Sequence, residues 1–391
     1  MHALFSKGFN IFAAATFCFV LNVNLIAFSQ DTSGKKQAKK EMLKDTLDGK
    51  IDFSRYLLEA NGFLPVPMII TEPALGDFGG LLALTFFSPR KVAPEMGYVP
   101  PDITVAAGML TANGSWLAGG GRIGSFPKAG LKYRVFAGYA DVNLDFYREL
   151  PGIGEKKLGF NIQGAPIFLN ISKKVSKSDL YLGVQYTFAK SSVELRSKEA
   201  LPEIIPDKDL DSRIGSLGFF ADWDKRDNFF TPSKGLRLNL LYSMDDDWTG
   251  SDYQYAKLSS FAQVFVPFSN QWISGFRFDY QHVYDRPPFY LYPFLNMRGI
   301  PAVKYQGATT TLVETEQRFD FNSRWSAVAF GGLGKAIWEN QSFSDANLVY
   351  NYGAGFRYLV ARAFGIRAGI DVAGGPDSFG WYITFGHNWN R

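Results

Sequence analysis

From Pro65 to Trp389 the chain is assembled from stretches in which apolar and polar residues alternate, many of them about 10 residues or longer. A period of two belongs to strands, whose successive side chains point to opposite faces. In Leu236–Met244 the even positions are Leu236, Leu238, Leu240, Tyr242 and Met244, against Arg237, Asn239, Leu241 and Ser243. Phe276, Phe278, Tyr280 and His282 oppose Gly275, Arg277, Asp279 and Gln281, and Phe364–Val372 sets Phe364, Ile366, Ala368, Ile370 and Val372 against Gly365, Arg367, Gly369 and Asp371. A water-soluble sandwich would alternate in the same way. Length separates the two readings, because roughly 9–11 residues are what a tilted strand needs to cross hydrocarbon. Glycine-rich polar faces with isolated charges fit a wet lumen, and aromatic residues near segment ends fit interfacial girdles. The expected fold class is all-β: a transmembrane antiparallel β-barrel of about 16 strands, the first over 67–72 and the last over 379–389.

The N-terminus reads differently. One basic residue, Lys7, precedes an apolar run from Phe9 to Phe28, and Ala27 and Ser29 stand at the spacing read by a signal peptidase. Residues 1–29 are therefore expected to be a cleaved signal peptide; the alternative, an uncleaved anchor, is interrupted by Asn10, Asn22 and Asn24. The single cysteine, Cys18, lies in this run, so disulfides and cysteine catalysis are excluded from the mature chain. Residues 30–62 are expected to form a short polar periplasmic segment, mobile through Lys50, with one or two turns of amphipathic helix before Gly62. Residues 63–391 are expected to form the barrel in the outer membrane of a Gram-negative cell. The formal charge of +4 is close to neutral and selects no partner.

Charge concentrates in one place. A connection over 285–309 carries four prolines and the tetrapeptide Met297-Arg298-Gly299-Ile300, then leads into Val313–Phe321. On that strand Glu314, Glu316, Arg318 and Asp320 share one face, and four charged groups there require water or partners. Elsewhere the chemistry is sparse. Asp222, Asp224 and Asp227 with Arg226 read as a turn held by charge pairs rather than a metal site. The histidines at 2, 282 and 387 have no ligand spacing. Gly119, Gly121 and Gly124 fit a nucleotide-loop spacing but sit in a strand pattern with Pro127 following. No nucleophile and base fall together, so the expectation is no enzyme, no cofactor, no metal and no nucleic-acid partner.

Several segments resemble the BamA/TamA-type outer-membrane barrels, the bacterial surface antigen family, in a variant lacking POTRA domains. They are Gly62-Phe63-Leu64-Pro65-Val66-Pro67 with Thr71-Glu72-Pro73, Phe146-Tyr147 with Pro151-Gly152-Ile153-Gly154, the turn motif Asp224, Arg226, Asp227, Asn228, Pro232 and Gly235, and the pair Arg298-Gly299. The last falls between the eleventh and twelfth strands counted from alternation alone. The resemblance implies a loop folded into the lumen, with Arg298 and Gly299 at its tip and Glu316, or its neighbour Arg318, on the wall that it meets. This chain departs from the family's pattern at Met297 and Ile300, at Gly332 where an aspartate is common, and after Trp389, where Asn390 and Arg391 follow.

The function implied is assistance to protein insertion, assembly or export at the outer membrane. Its partners would be outer-membrane lipids, unfolded outer-membrane or exported proteins, and a periplasmic accessory protein. The residues add a weak closing seam: prolines at 65, 67 and 73 limit donation from the first strand, against a last strand whose outer face would carry Trp381, Phe385 and Trp389. The alternatives are a passive pore or lipid and small-solute channel, and a surface-structural anchor.

Overall fold

A computed structural model describes residues 43–59, 62–88, 102–150, 154–176, 178–196 and 210–389. Residues 1–42, with the expected signal peptide over 1–29, the 89–101 connection, residues 151–153 and the last two residues lie outside the described residues. The strands are β1 (Gly62–Ile70), β2 (Gly79–Ser88), β3 (Asp102–Thr111), β4 (Trp116–Phe126), β5 (Leu131–Leu150) and β6 (Gly154–Lys174). Next come β7 (Leu180–Leu195), β8 (Asp211–Asp224), β9 (Gly235–Asp245), β10 (Tyr255–Pro267) and β11 (Trp272–Tyr284). The last are β12 (Thr309–Asp320), β13 (Trp325–Ile337), β14 (Val349–Ala361), β15 (Ile366–Gly375) and β16 (Ser378–Phe385). Each strand pairs antiparallel with its sequence neighbour in one 16-stranded sheet, the all-β barrel expected from the alternation.

Alternation now has a physical direction. Leu238, Leu240 and Tyr242 are exposed on the outside, where lipid would lie, while Arg237 and Ser243 are buried inside. Phe276 and Phe278 likewise face out, and Arg277 and Asp279 face in. Even-to-odd connections such as 127–130, 321–324 and 362–365 are short and form what we call the turn rim. Odd-to-even connections form the loop rim, including the long 285–308 loop.

The cylinder does not close by hydrogen bonds. Among the described residues β1 pairs only with β2, and β16 only with β15. The expected seam strands are corrected on both sides: β1 begins earlier, at Gly62, and β16 stops at Phe385. Pro65 and Pro67 occupy the same parity in an unbroken register with β2, opposite Leu84 and Leu82. Both missing donors therefore belong to the free edge, where a sheet tolerates proline.

The segment ahead of β1 is also corrected, since residues 43–53 are docked rather than mobile. Leu43 accepts a hydrogen bond from the Asp52 amide at 2.9 Å, and Phe53 N–H donates to Val360 O at 2.8 Å. Helix α1 (Ser54–Glu59) then leads back towards β1. Phe53 packs in one cluster with Val360, Ala361, Ile366 and Ala368, joined by Leu57 and Phe385. Ile366 and Ala368 have the parity of the lipid-facing Ile370 and Val372 but are buried. Beside them Arg324, 0% exposed, meets Asp45, Asp48 at 2.8 Å and Asp52 at 2.7 Å, while Arg362 reaches Asp45 at 2.5 Å and Asp48 at 2.9 Å. A segment covalently continuous with β1 is thus fastened to the turns on the β16 side, across the unpaired seam.

Candidate functional site: a lumen loop beside an unpaired seam

Prolines at 287, 288, 293 and 301 deny the 285–308 loop a ladder, and it enters the barrel instead. Its first half is held by the far wall. Tyr290 Oη lies 2.8 Å from Ser191 Oγ and 2.7 Å from Ser212 Oγ, and the Phe289 ring packs against Phe146 and Phe160 at centroid distances of 5.1 and 4.8 Å. Its tip reaches the opposite wall. Gly299 adopts φ +81°, and a Cβ there would sit 2.9 Å from Gly374 N, so this position needs glycine both for its backbone and for its clearance. Gly299 N–H donates to Tyr382 Oη at 2.9 Å, and Ser378 Oγ donates to Gly299 O at 2.6 Å.

Arg298 is buried, with three different contacts. Nη1 donates to Asp371 Oδ2 at 2.7 Å, Nη2 lies 2.7 Å from Glu316 Oε2, and the guanidinium stacks 3.4 Å above the Phe330 ring. The Glu316 contact is an ion pair without hydrogen-bond alignment, so Asp371 supplies the directional bond. Asp371 is 0% exposed and is shared with Arg357, at 2.5 and 2.9 Å. Sequence reasoning missed Asp371, although it stands on the polar parity of its strand. Arg318 is corrected: it turns away from the tip, donating to Pro232 O at 3.2 Å and Ser233 Oγ at 2.8 Å. Glu314 instead pairs with Arg277 at 2.5 Å and accepts from Asn351 Nδ2 at 3.1 Å. Gly332 leaves room for that arrangement, because a Cβ there would lie 2.4 Å from Glu314 Cγ.

The turn motif is a folded unit in its own right. Arg226 grips Asp224 through Nε at 2.9 Å and Nη2 at 2.7 Å, and Asp222 pairs with Arg237 at 2.8 Å. Asp227 Oδ1 accepts from the amides of Ser233 and Lys234, and Asn228 Oδ1 from those of Phe230 and Thr231. Gly235 has φ +108°, with a virtual Cβ only 2.2 Å from Lys225 O. Arg226 Nη1 also lies 3.0 Å from His387 Nε2, which places the stretch that follows β16. Here the outer-face reading of Trp389 is corrected. Gly386, φ +72°, bends the chain away from the sheet, and Trp389 is 2% exposed inside the lumen with its carbonyl accepting from Gln263 Nε2 at 2.6 Å. Trp381 remains on the outside, while Phe385 joins the cluster around Phe53.

The loop touches both sides of the seam. Its tip binds β15 and β16 through Asp371 and Tyr382, and three residues on Ala302 N–H donates to Glu72 Oε1 in the β1–β2 connection at 3.1 Å. Glu72 was not singled out from the sequence; only its place beside Pro73 marked it. Behind the loop a cavity of about 580 Å³ is bordered by both seam strands.

Residues 125–290 match the Omp85 superfamily domain. No curated protein matches the sequence. The fold is similar to that of BamA from Haemophilus ducreyi lacking POTRA domains 1–3, with a TM-score of 0.57 at 12% identity over 84% of this chain and 71% of that one. CdiB from Escherichia coli gives 0.60 at 11% identity, over 84% of this chain and 63% of that one. CdiB from Acinetobacter baumannii gives 0.52 at 12%, over 83% and 59%. The chain thus spans less than two thirds of either CdiB, and at these identities the likeness is one of fold.

Proposed function

We propose that this BamA/TamA-type outer-membrane barrel assists the insertion or export of other proteins at the outer membrane, with the unpaired β1–β16 seam as its working surface. The observation that carries the reading is the seam itself. Each sheet edge presents backbone N–H and C=O groups with no ladder partner, and such an edge templates an incoming strand. Prolines thin the donors of β1 but leave β16 intact, so β16 is the better template. The lumen loop acts as a latch: Arg298 holds the β15–β16 side while the Ala302 amide holds Glu72 on the β1 side. On this reading the turn rim faces the periplasm, where an accessory protein presents unfolded clients, and the surrounding outer-membrane lipids meet the client as it leaves the seam.

The test exploits a chain whose only cysteine is Cys18. Cysteine pairs are scanned between β1 and β16, cross-linked in cells, and the outer-membrane proteome is compared with and without reductant after depletion of the native copy. Locking is expected to mimic depletion, with recovery on reduction. A locked protein that supports the same proteome as the unlocked one removes the seam from the mechanism.

A further inference from the structure

We propose that the lumen cavity binds an amphiphilic anion, a single acyl or alkyl chain carrying a phosphate or carboxylate head, admitted through the seam. This goes beyond the insertion role and does not depend on it. A volume of about 580 Å³ falls within the usual range for small-molecule sites, roughly 300–1,000 Å³. Its two ends differ in chemistry. Leu81, Met109, Leu117, Phe136, Val142 and Ile162 line the part nearer the loop rim and offer no polar group to a ligand. At the end nearer the turn rim stand Lys132 and Arg134 of β5 and Arg237 of β9, with Asp222 of β8 beside them. Asp224 also lies 3.8 Å from Arg237 but is gripped by Arg226 at 2.7 Å, and the other bordering carboxylates, Glu314 and Glu72, are engaged by Arg277 and the Ala302 amide. Asp222 is already engaged by Arg237, at 2.9 and 2.8 Å. Arg134 lies within electrostatic reach of both, and Lys132 Nζ sits 3.8 Å above the Tyr181 ring.

Four cations, Lys132, Arg134, Arg226 and Arg237, around two carboxylates, Asp222 and Asp224, leave an excess of positive charge in a site with low-dielectric walls, where an anion is attracted far more strongly than in water. Asn170 and Gln185 line the same end and add neutral hydrogen-bonding groups. An inorganic anion would draw on the excess positive charge but leave the apolar end wet, whereas an uncharged chain would do the opposite. An amphiphile satisfies both. The way in is lateral, since Met68, Ile69 and Ile70 of β1 and Tyr382, Ile383 and Thr384 of β16 border the cavity along the one line where the sheet is unpaired.

The test uses the full chain in neutral maltoside micelles and a doxyl-labelled alkyl phosphate, read by the immobilised fraction of its electron spin resonance spectrum. A saturable immobilised component is expected, displaced by dodecyl phosphate and by dodecanoate, and displaced at least tenfold less well by dodecanol or by inorganic phosphate. Lys132→Gln and Arg134→Gln should each weaken binding about tenfold or more, the usual effect of losing a charge-assisted hydrogen bond. Ala140→Phe, which fills the apolar end, should abolish binding without touching a charge. Heat-modifiable gel mobility checks that each variant is folded. Equal displacement by dodecanol overturns the anion site, equal displacement by inorganic phosphate overturns the amphiphile, and absence of an immobilised component overturns both.

Discussion

Replacing Arg324 by methionine should release the N-terminal segment while leaving the barrel folded. The side chain is 0% exposed and donates to Asp45, to Asp48 at 2.8 Å, to Asp52 at 2.7 Å and to Leu359 O at 2.8 Å. Breaking a buried ion pair from one side typically costs about 3–5 kcal/mol, because the surviving charges stay desolvated. Here three carboxylates would be left to Arg362, whose own side chain is 33% exposed. The opposing term is the entropy of ordering residues 43–53, about 1–2 kcal/mol per residue for the backbone, which the Phe53 cluster and the arginine cluster together offset. A loss of about 3–5 kcal/mol lowers the docking equilibrium by roughly a hundredfold or more. Limited trypsinolysis at Lys44 and Lys50, with hydrogen exchange over 43–53, measures it directly. Cleavage and exchange should accelerate by that order, with unchanged heat-modifiable mobility. Arg362→Met should have a smaller effect. If Arg324→Met leaves exchange within about threefold of the parent, the cluster does not hold the segment and the reasoning fails.

Three further outcomes are expected. The hydrogen bond from Arg324 holds the Asp48 carboxyl far below its usual range; at Asp52 burial works in the other direction but is outweighed by Ser54 and Arg324, and its pKa is also lowered. Groups with depressed folded pKa values contribute above the unfolded value, about 3.9, and lose that contribution as pH falls through the folded value; exchange over 43–53, corrected for intrinsic rates, should therefore be flat from pH 5 to 8 and rise only in stronger acid. Asp371→Asn should destabilise the loop by about 3–5 kcal/mol, more than Glu316→Gln, because Asp371 serves both Arg298 and Arg357; protease sensitivity within 285–308 reports it, and an equal response from the two variants would contradict the geometry. Gly332→Asp should lower stability, since its Cβ would meet Glu314 Cγ at 2.4 Å and Val313 O at 2.7 Å, and a denaturant midpoint equal to the parent's would refute the clash.

Alternation carried the fold because a strand's period of two is local: Leu238, Leu240 and Tyr242 face outward whatever the rest of the chain does, and pairing order follows from short connections. The same logic placed Glu314 and Glu316 inside and the Arg298 tip between β11 and β12. Locality also explains the misses. Period-two counting ran the last strand on through Trp389, but one positive-φ glycine, Gly386, turns the chain inward, and glycine's freedom leaves no mark in a pattern of apolar residues. Arg318 has the right parity but reaches the 225–234 turn, a contact 85 or 86 residues away in sequence.

What the residues determined by themselves is the barrel, its count of strands, the inward face of each and the proline-thinned edge of β1. Tertiary structure alone decided the partnerships across that frame: Asp371 with Arg298, Glu72 with the Ala302 amide, and three aspartates with Arg324. Side-chain direction is dictated by the backbone next door, whereas which charges meet depends on where a loop and a tail return. The seam shows both kinds of cause. Its weakness is written in Pro65 and Pro67, but that it is tied at the loop rim by a lumen loop and at the turn rim by an acidic segment emerges only when distant parts of the chain are brought together.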